Sequence, residues 1–330
     1  MMGVAPRPAH GACAGIDLGG TKIEAAVIDD QYNVLGSARR PTPTSGGPAD
    51  VATEMVRAVT EACAAAGLEP SQLIGIGVGS PGIVNTASGT VTSARNLPGW
   101  EGSFGLGDTL ARQLDTLVLV ANDVQVATEA EYKLGAGRPY DTVLGVFWGT
   151  GVGGGIILDG KPWVGRGGAG EIGHVVVKEG GARCPCGRRG CMEAYAGRLS
   201  MEQRARKLVS HGEKTDLFKL MEEQNRSRLT SSIWARSLGR GDAVAKKLID
   251  RAVAALGAGV GSAVNLLDVE AVIIGGGLGI RFGQAMADRI AEEMRPHLFN
   301  DARPPDVRVA ELGDLGGAIG GSLLVHGHVR

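Results

Sequence analysis

The sequence predicts an α/β protein built by internal duplication, and three observations carry that expectation. Apolar, strand-like runs alternate with amphipathic, helix-like runs along most of the chain, the pattern of mixed α/β folds. Two segments, AGIDLGGTKIEAAVIDD at 14–30 and LGVFWGTGVGGGIILDG at 144–160, repeat one design. Each reads as a buried strand, a Gly-rich turn carrying a Thr (Thr21; Thr150), a second strand and an Asp-containing turn. Glycine is the compositional outlier, with 54 in 330 residues, about one in six where about one in fourteen is usual. These glycines follow no G-X-Y period and gather beside apolar runs, so they mark backbone turns rather than linkers.

The elements follow in order. After the first hairpin, ADVATEMVRAVTEACAAAG (49–67) has the apolar spacing of a helix, and LIGIGVGSPG (73–82) is a strand ending in a Gly/Pro turn. LDTLVLVAND (114–123) is a strand, and VQVATEAEYKLGAG (124–137) a helix that starts at once after Asn122-Asp123. Beyond the second hairpin, 200–212, 243–267 and 282–298 read as helices, with strands at 269–277 and 306–312. DLGGAIGGSLLVHGH (314–328) reads as a small-residue helix that packs closely on its neighbour. A chain of 330 residues exceeds one compact core. Two lobes are expected: a small N-terminal α/β lobe at 1–122, and a larger one at 123–311 that carries the cysteine-rich loop. The helix at about 312–330 is expected to return to the small lobe. Residues 207–241 are polar and weakly patterned, a loop-and-helix insertion.

Composition narrows the function classes. Apolar residues make up 43% and charged residues 21%, which fits a globular protein rather than a disordered one. Lys plus Arg (34) nearly balance Asp plus Glu (35), so no basic excess is present to neutralise nucleic-acid phosphates. Aromatics are too scarce for stacking platforms. The opening MMGVAPRPAHGACAG has no apolar core behind a charged leader. The most apolar run, 252–267, is short, Gly-rich and contains Asn265. Five cysteines, three of them clustered, suit a metal in a reducing compartment. The expectation is a cytoplasmic protein with neither nucleic-acid nor membrane partners, with Cys13 and Cys63 in the core.

The motifs suggest phosphate chemistry. In Asp17-Leu18-Gly19-Gly20-Thr21-Lys22, glycines let backbone N–H groups approach phosphate oxygens, while Thr21 and Lys22 add a hydroxyl and a charge. Asp17 at the strand end is placed to hold Mg²⁺ through water. A plain tight hairpin would look the same, but the second copy, Gly149-Thr150-Gly151 and onward, suggests two turns that clamp a phosphate chain. Gly275-Gly276-Gly277 between strand and helix offers flat backbone to a nucleoside, or is a simple strand–helix turn. Asn122-Asp123 stands at the carboxyl end of a strand, where open α/β sheets bind ligands. Its two readings are helix capping and a general base, Asp123, against a substrate hydroxyl.

The stretch CPCGRRGC (184–191) contributes Cys184, Cys186 and Cys191, and His174 lies upstream in Gly170-Glu171-Ile172-Gly173-His174. Three thiolates and an imidazole complete a closed tetrahedral Cys₃His zinc site, and a closed site is structural. Its effect would be to fix Glu171, His174 and Glu193, which suit a polyhydroxylated ligand; His174 can give its second ring nitrogen to that ligand.

Together these residues resemble the ROK family of sugar kinases and related repressors. The resemblance rests on DLGGTK at 17–22, GSPG at 79–82, NLPGW at 96–100, ND at 122–123, GTGVGGG at 149–155, EIGH at 171–174, CPCGRRGCME at 184–193 and GGG at 275–277. It implies an actin-like ATPase (ribonuclease H-like) duplicated fold, two lobes with the active site in the cleft, and ATP-dependent phosphorylation of a hexose. Asp123 would be the base, and Gly79, Asn96, Asn122, Glu171, His174 and Glu193 would meet the sugar. Gly19, Gly20, Thr21, Lys22, Thr150 and Gly151 would hold ATP phosphates, Asp17 would help place Mg²⁺, and Gly276 and Gly277 would border the adenosine. Glucose is the expected hexose; fructose, mannose, N-acetylglucosamine and N-acetylmannosamine are the alternatives, and a non-catalytic sugar sensor the alternative of another class. Family repressors carry an added helix-turn-helix, for which the residues before the first strand are too few, and this favours the enzyme. A homodimer or homotetramer is implied. Polyphosphate as donor stays open, with no basic run pointing to it. Two departures stand out: Val124-Gln125 after Asp123, and Trp148 before the second turn.

Overall fold

Apolar runs bounded by glycine turns become the strands of two five-stranded sheets. The computed structural model describes residues 11–94 and 96–329; the expectation that the chain opens without a leader falls mostly outside them. The described residues form two compact units. One takes the chain as far as Lys133, with Gly165–Gly168 and the residues from Leu312; the other takes Leu134–Val164 and Ala169–Glu311. Each has its own apolar core.

In the first unit, β1 (Cys13–Leu18), β2 (Lys22–Ile28) and β3 (Val34–Pro41) form an antiparallel meander. Helix α1 (Pro48–Ala66) follows, burying Val51, Met55, Ala58, Val59 and Ala62 on one face, the three-to-four spacing of an amphipathic helix. It stops at Gly67, whose φ of 71° supplies the left-handed cap. Strand β4 (Ile76–Ser80) runs parallel to β1. Three short strands, β5 (Ile83–Asn85), β6 (Thr90–Thr92) and β7 (Ser103–Gly105), make a small separate sheet that the sequence reading missed. Helix α2 (Leu106–Leu114), strand β8 (Val118–Asn122) and helix α3 (Asp123–Leu134) follow. The sheet order is β3-β2-β1-β4-β8. The sequence reading starts a second lobe at residue 123, whereas α3 belongs to this unit up to Lys133. The reason is packing: a Cβ on Gly79 of β4 would lie 2.8 Å from Val126 of α3.

The C-terminal helix (Gly316–Val329) lies on β1 and β4 of the same unit. Its contact is backbone against backbone, since a Cβ on Gly77 would sit 1.8 Å from the Gly321 carbonyl oxygen. The small residues of 314–328 therefore pack as the sequence suggests.

The second unit repeats the first. Strands β9 (Val143–Trp148), β10 (Val152–Leu158) and β11 (Lys161–Pro162) are antiparallel; β12 (Ala271–Gly275) and β13 (Asp306–Val309) are parallel additions, in the order β11-β10-β9-β12-β13. Position by position, the order and strand sense match the first sheet, so the duplicated hairpins head duplicated sheets. Helices α4 (Glu193–Ala196), α5 (Arg198–Ser210), α6 (Leu217–Glu223), α7 (Ser231–Gly239), α8 (Ala243–Leu267), α9 (Gly276–Phe282) and α10 (Gln284–Met294) complete it. The expected helix at 282–298 is shorter, because Gly283 (φ 71°) separates α9 from α10 and Pro296 turns the end into a 3₁₀ segment. Cys13 and Cys63 are fully buried, as expected. Among the described residues, no helix is long and apolar enough to cross a membrane.

Gly77→Val is expected to destabilise the protein by about 3 kcal/mol or more, because the clash is with backbone that cannot rotate away. Gly239→Ala, with open space around its Cβ position, is the matched control and should shift the thermal midpoint little. Equal midpoints for the two variants would refute the backbone contact.

Candidate functional site

The first unit gathers four of the singled-out residues on the carboxyl ends of three adjacent parallel strands. Asp17 on β1 pairs in register with Gly79 on β4, which pairs with Ala121 on β8 just before Asn122 and Asp123. Asn122 Oδ1 accepts from the N–H groups of Val124 (3.1 Å) and Gln125 (3.0 Å), so it caps α3; Asp123 Oδ1 accepts from Val124 N–H at 2.9 Å. The capping reading thus holds for Asn122 and leaves the Asp123 carboxylate fixed at the helix start. A Cβ on Gly79 would come within 3.2 Å of the Asp123 Cα and 2.8 Å of a Val126 methyl, so a larger residue there would press on the start of α3.

The first hairpin turn is closed by Gly19 N–H to the Lys22 carbonyl (2.9 Å), and the Thr42 hydroxyl donates to the Gly19 carbonyl at 2.7 Å. Asn96 lies against this turn, with its carbonyl oxygen 3.1 Å from where a Gly20 Cβ would be. Burial pushes the Asp17 carboxyl up to about 6, with the Lys22 charge opposing and the Glu24 and Asp314 charges adding to the rise. The ammonium of Lys22 is paired with buried Glu24 and stands 3.7 Å from Asp314, and Arg39 bonds the same two carboxylates. Lys22 is therefore held by carboxylates. Residues two apart in a strand share a face, so the Lys22–Glu24 pair was readable from the sequence.

The second unit gathers the rest. Its hairpin turn, Gly149–Gly151, is closed by Gly149 N–H to the Gly151 carbonyl (3.0 Å). The Gly275–Gly277 turn lies against it: Gly276 has φ of 76°, and a Cβ there would be 2.7 Å from the Trp148 carbonyl oxygen. Trp148 faces the core rather than the turn, fully buried, with Nε1 donating to the Ala196 carbonyl at 2.7 Å. That departure from the family pattern thus serves packing. Glu193 Oε2 accepts from Val152 N–H at 2.9 Å, which ties the end of the cysteine loop to the hairpin. Sequence reasoning missed Arg198: its Nη2 donates to the Thr150 hydroxyl at 2.8 Å. A cation at the first position of an amphipathic helix reads as solvated surface, so no local signal marks it.

His174, Cys184, Cys186 and Cys191 present one ligand atom each, all within 4.8 Å of one another. Cys186 and Cys191 Sγ are 3.8 Å apart, as are Cys184 Sγ and His174 Nδ1. A tetrahedral zinc with Zn–S of about 2.3 Å requires an S···S edge of about 3.8 Å, which the Cys186–Cys191 pair matches, so the cluster is compatible with the ion. The other ring nitrogen of His174, Nε2, stands 3.8 Å from the Glu171 carboxylate. Four ligands leave no open coordination position, so a metal here would cross-link the loop rather than activate water.

A model of the ROK family matches residues 13–328. The chain belongs to the ROK family. A glucokinase of Halalkalibacterium halodurans is 32% identical over 318 residues, 94% of each chain. An N-acetylgalactosamine kinase of Shewanella sp. strain ANA-3 is 32% identical over 324 residues, covering 95% of this chain and 96% of that one. The crystal structure of a ROK family glucokinase from Streptomyces griseus in complex with glucose and AMPPNP superposes with a TM-score of 0.83 at 30% identity, over 96% of this chain and all of the other. This ROK chain has the actin-like ATPase fold, and the duplicated sheets are its two halves.

The cluster's fit predicts about one zinc per chain in freshly purified, reduced protein. Cys191→Ser should lower that content severely and reduce the thermal midpoint; elemental analysis that finds no metal in the reduced wild type would remove the assignment.

Proposed function

We propose that this protein is an ATP-dependent hexose kinase, and that its substrate is glucose, converted to glucose 6-phosphate. The observation that carries the reading is the line of Asp17, Gly79 and Asp123 on adjacent strand ends of the first unit, in a chain of the ROK family. The glucokinase relatives support the choice of sugar.

In this reading Asp123 accepts the proton of the attacking hydroxyl as its oxygen bonds to the γ-phosphorus and the bond to the ADP oxygen breaks. Gly79, Asn96, Asn122, Glu171, His174 and Glu193 hold the sugar hydroxyls. Glu193, already accepting from the Val152 N–H, has lone pairs left for a hydroxyl. The backbone at Gly19, Gly20 and Gly151, with Thr21, Lys22 and Thr150, meets the phosphates of ATP, and Gly276 and Gly277 border its nucleoside. Mg²⁺, where bound, would neutralise phosphate charge, and Asp17 is the residue to hold it through water. Zinc in the Cys₃His cluster would be structural. Three clustered thiolates suit a reducing compartment, so the enzyme is taken to be cytoplasmic, and the homodimer or homotetramer implied by the family is kept. The acetylhexosamine kinase among the relatives supports the second reading, a kinase for an N-acetylated hexose.

The test is ADP release with Mg-ATP across glucose, mannose, fructose, N-acetylglucosamine and N-acetylmannosamine. Glucose is expected to be preferred; preference for another sugar would correct the substrate, and no release with any would overturn the kinase. Asp123→Ala should lower kcat by about 10²- to 10⁴-fold with sugar affinity retained, and unchanged turnover would take the base role from it.

A carboxyl raised to about 6 is charged above that pH and neutral below it. If Asp17 holds Mg²⁺ as carboxylate, kcat/KM for Mg-ATP should fall as pH drops through about 6, and Asp17→Asn should flatten that limb. A limb that persists in the variant would assign it elsewhere.

A further inference from the structure

Arg198 stands out as a cation placed where a cation is costly. It opens α5, with Nη2 on the Thr150 hydroxyl (2.8 Å) and Nη1 on the Leu229 carbonyl (2.7 Å), while its Nε is buried without a partner. Among the described residues it makes no ion pair: the nearby carboxylate of Glu202 goes to Arg206 (2.7 Å) and to the Leu229 N–H (3.0 Å). Burial holds its guanidinium pKa below the usual range. The Glu202 charge offsets this only in part and the Arg228 charge adds to it; a desolvated cation with no direct ion pair is costly to the fold, so its placement needs a reason beyond stability.

The reason is at the turn. Two backbone bonds, Arg198 N–H to the Gly149 carbonyl (3.1 Å) and Leu199 N–H to the Thr150 carbonyl (3.2 Å), join the start of α5 to the second hairpin. Thr150 has one hydroxyl proton and accepts from Arg198, so that proton is left to donate outward. At its other end the guanidinium holds Leu229, beside Thr230, the capping residue of α7. The next residue, Ser231, has its Oγ 3.1 Å from where a Cβ on Gly277 would lie. One side chain thus ties together the phosphate-type turn and the glycine turn, and it anchors the 207–241 insertion to both.

We propose that Arg198 is a positioning residue for the phosphoryl donor, fixing the Thr150 hydroxyl as a hydrogen-bond donor to phosphate oxygens of a nucleoside triphosphate and backing the turn with fixed positive charge. This rests on the kinase reading above. The test uses zinc-loaded full-length protein with Arg198→Met, Arg198→Lys and Thr150→Val, reading ADP affinity by calorimetry, KM for ATP and for sugar, metal content and melting temperature. Arg198→Met is expected to weaken ADP binding and raise KM for ATP by about 10- to 100-fold, with sugar KM and zinc content kept. Arg198→Lys should recover part of the loss. Combined with Thr150→Val, Arg198→Met should add little, because both act through one hydroxyl. Unchanged ADP affinity in either Arg198 variant overturns the inference, as does full additivity, or an equal loss of sugar and nucleotide affinity. Wild type that binds no ADP would overturn the kinase reading and this inference with it; wild type that binds and turns over while the Arg198 variants match it overturns the inference alone.

Discussion

Three sulfurs and one ring nitrogen, held within 4.8 Å of one another, stand at the head of the contacts that run through the proposed site residues of the second unit. The loop that carries the cysteines is also folded back on itself by backbone bonds, among them Cys184 N–H to the Arg188 carbonyl (2.8 Å), Gly190 N–H to the Ala182 carbonyl (2.9 Å) and Met192 N–H to the Val175 carbonyl (2.9 Å). Glu193 follows Cys191 by two residues, so fixing the sulfur fixes the carboxylate, and that carboxylate reaches the Val152 N–H of the hairpin. Helix α4 begins at Glu193, and its last residue receives the Trp148 indole bond. Arg198 comes two residues later. The four ligand atoms therefore stand at the head of a chain of contacts that ends on the Thr150 turn, and a metal held by all four would have no open position and would only orient its neighbours.

The two halves steady their hairpin turns by different means. In the first, Glu24 is buried on β2 and bonded by two cations, Lys22 from the turn and Arg39 from β3, with Asp314 completing the network. A buried carboxylate paired in this way becomes costly when a partner is lost. The second half has glycines, Gly153 and Gly155, at the corresponding part of β10 and brings a cation from the helix that follows the cysteine loop. Strand order survived the duplication; charge placement did not.

Legibility in the sequence tracked the range of the interactions. The paired hairpins were readable because glycines between apolar runs force turns locally, and the cysteine cluster because ligand chemistry restricts spacing. The C-terminal helix revealed its close packing through its small residues. The sheet at 83–105 was not readable, since three-residue strands are too short to show a period of two. Strand β3 is mostly exposed at an edge and lacked an apolar signal. Among site residues, the Asn122 cap and Asp123 were visible as a pair at a strand end. The approach of Asp314 to Lys22, the inward turn of Trp148 and the whole role of Arg198 depend on segments brought together by folding, and no local pattern encodes them.

The C-terminal helix has a consequence for how the molecule is made. It lies on β1 and β4, strands that leave the ribosome long before it does, and the contact at Gly77 and Gly321 leaves no room for a substitute side chain. The first unit therefore waits with one face of its sheet uncovered until the segment from Leu312 is synthesised. The second unit, continuous from Ala169 to Glu311, holds most of its elements before then. Domains in general fold in the order they emerge; here the unit whose translation starts first is completed by a segment that follows the second unit, so one face of its sheet stays uncovered in the meantime.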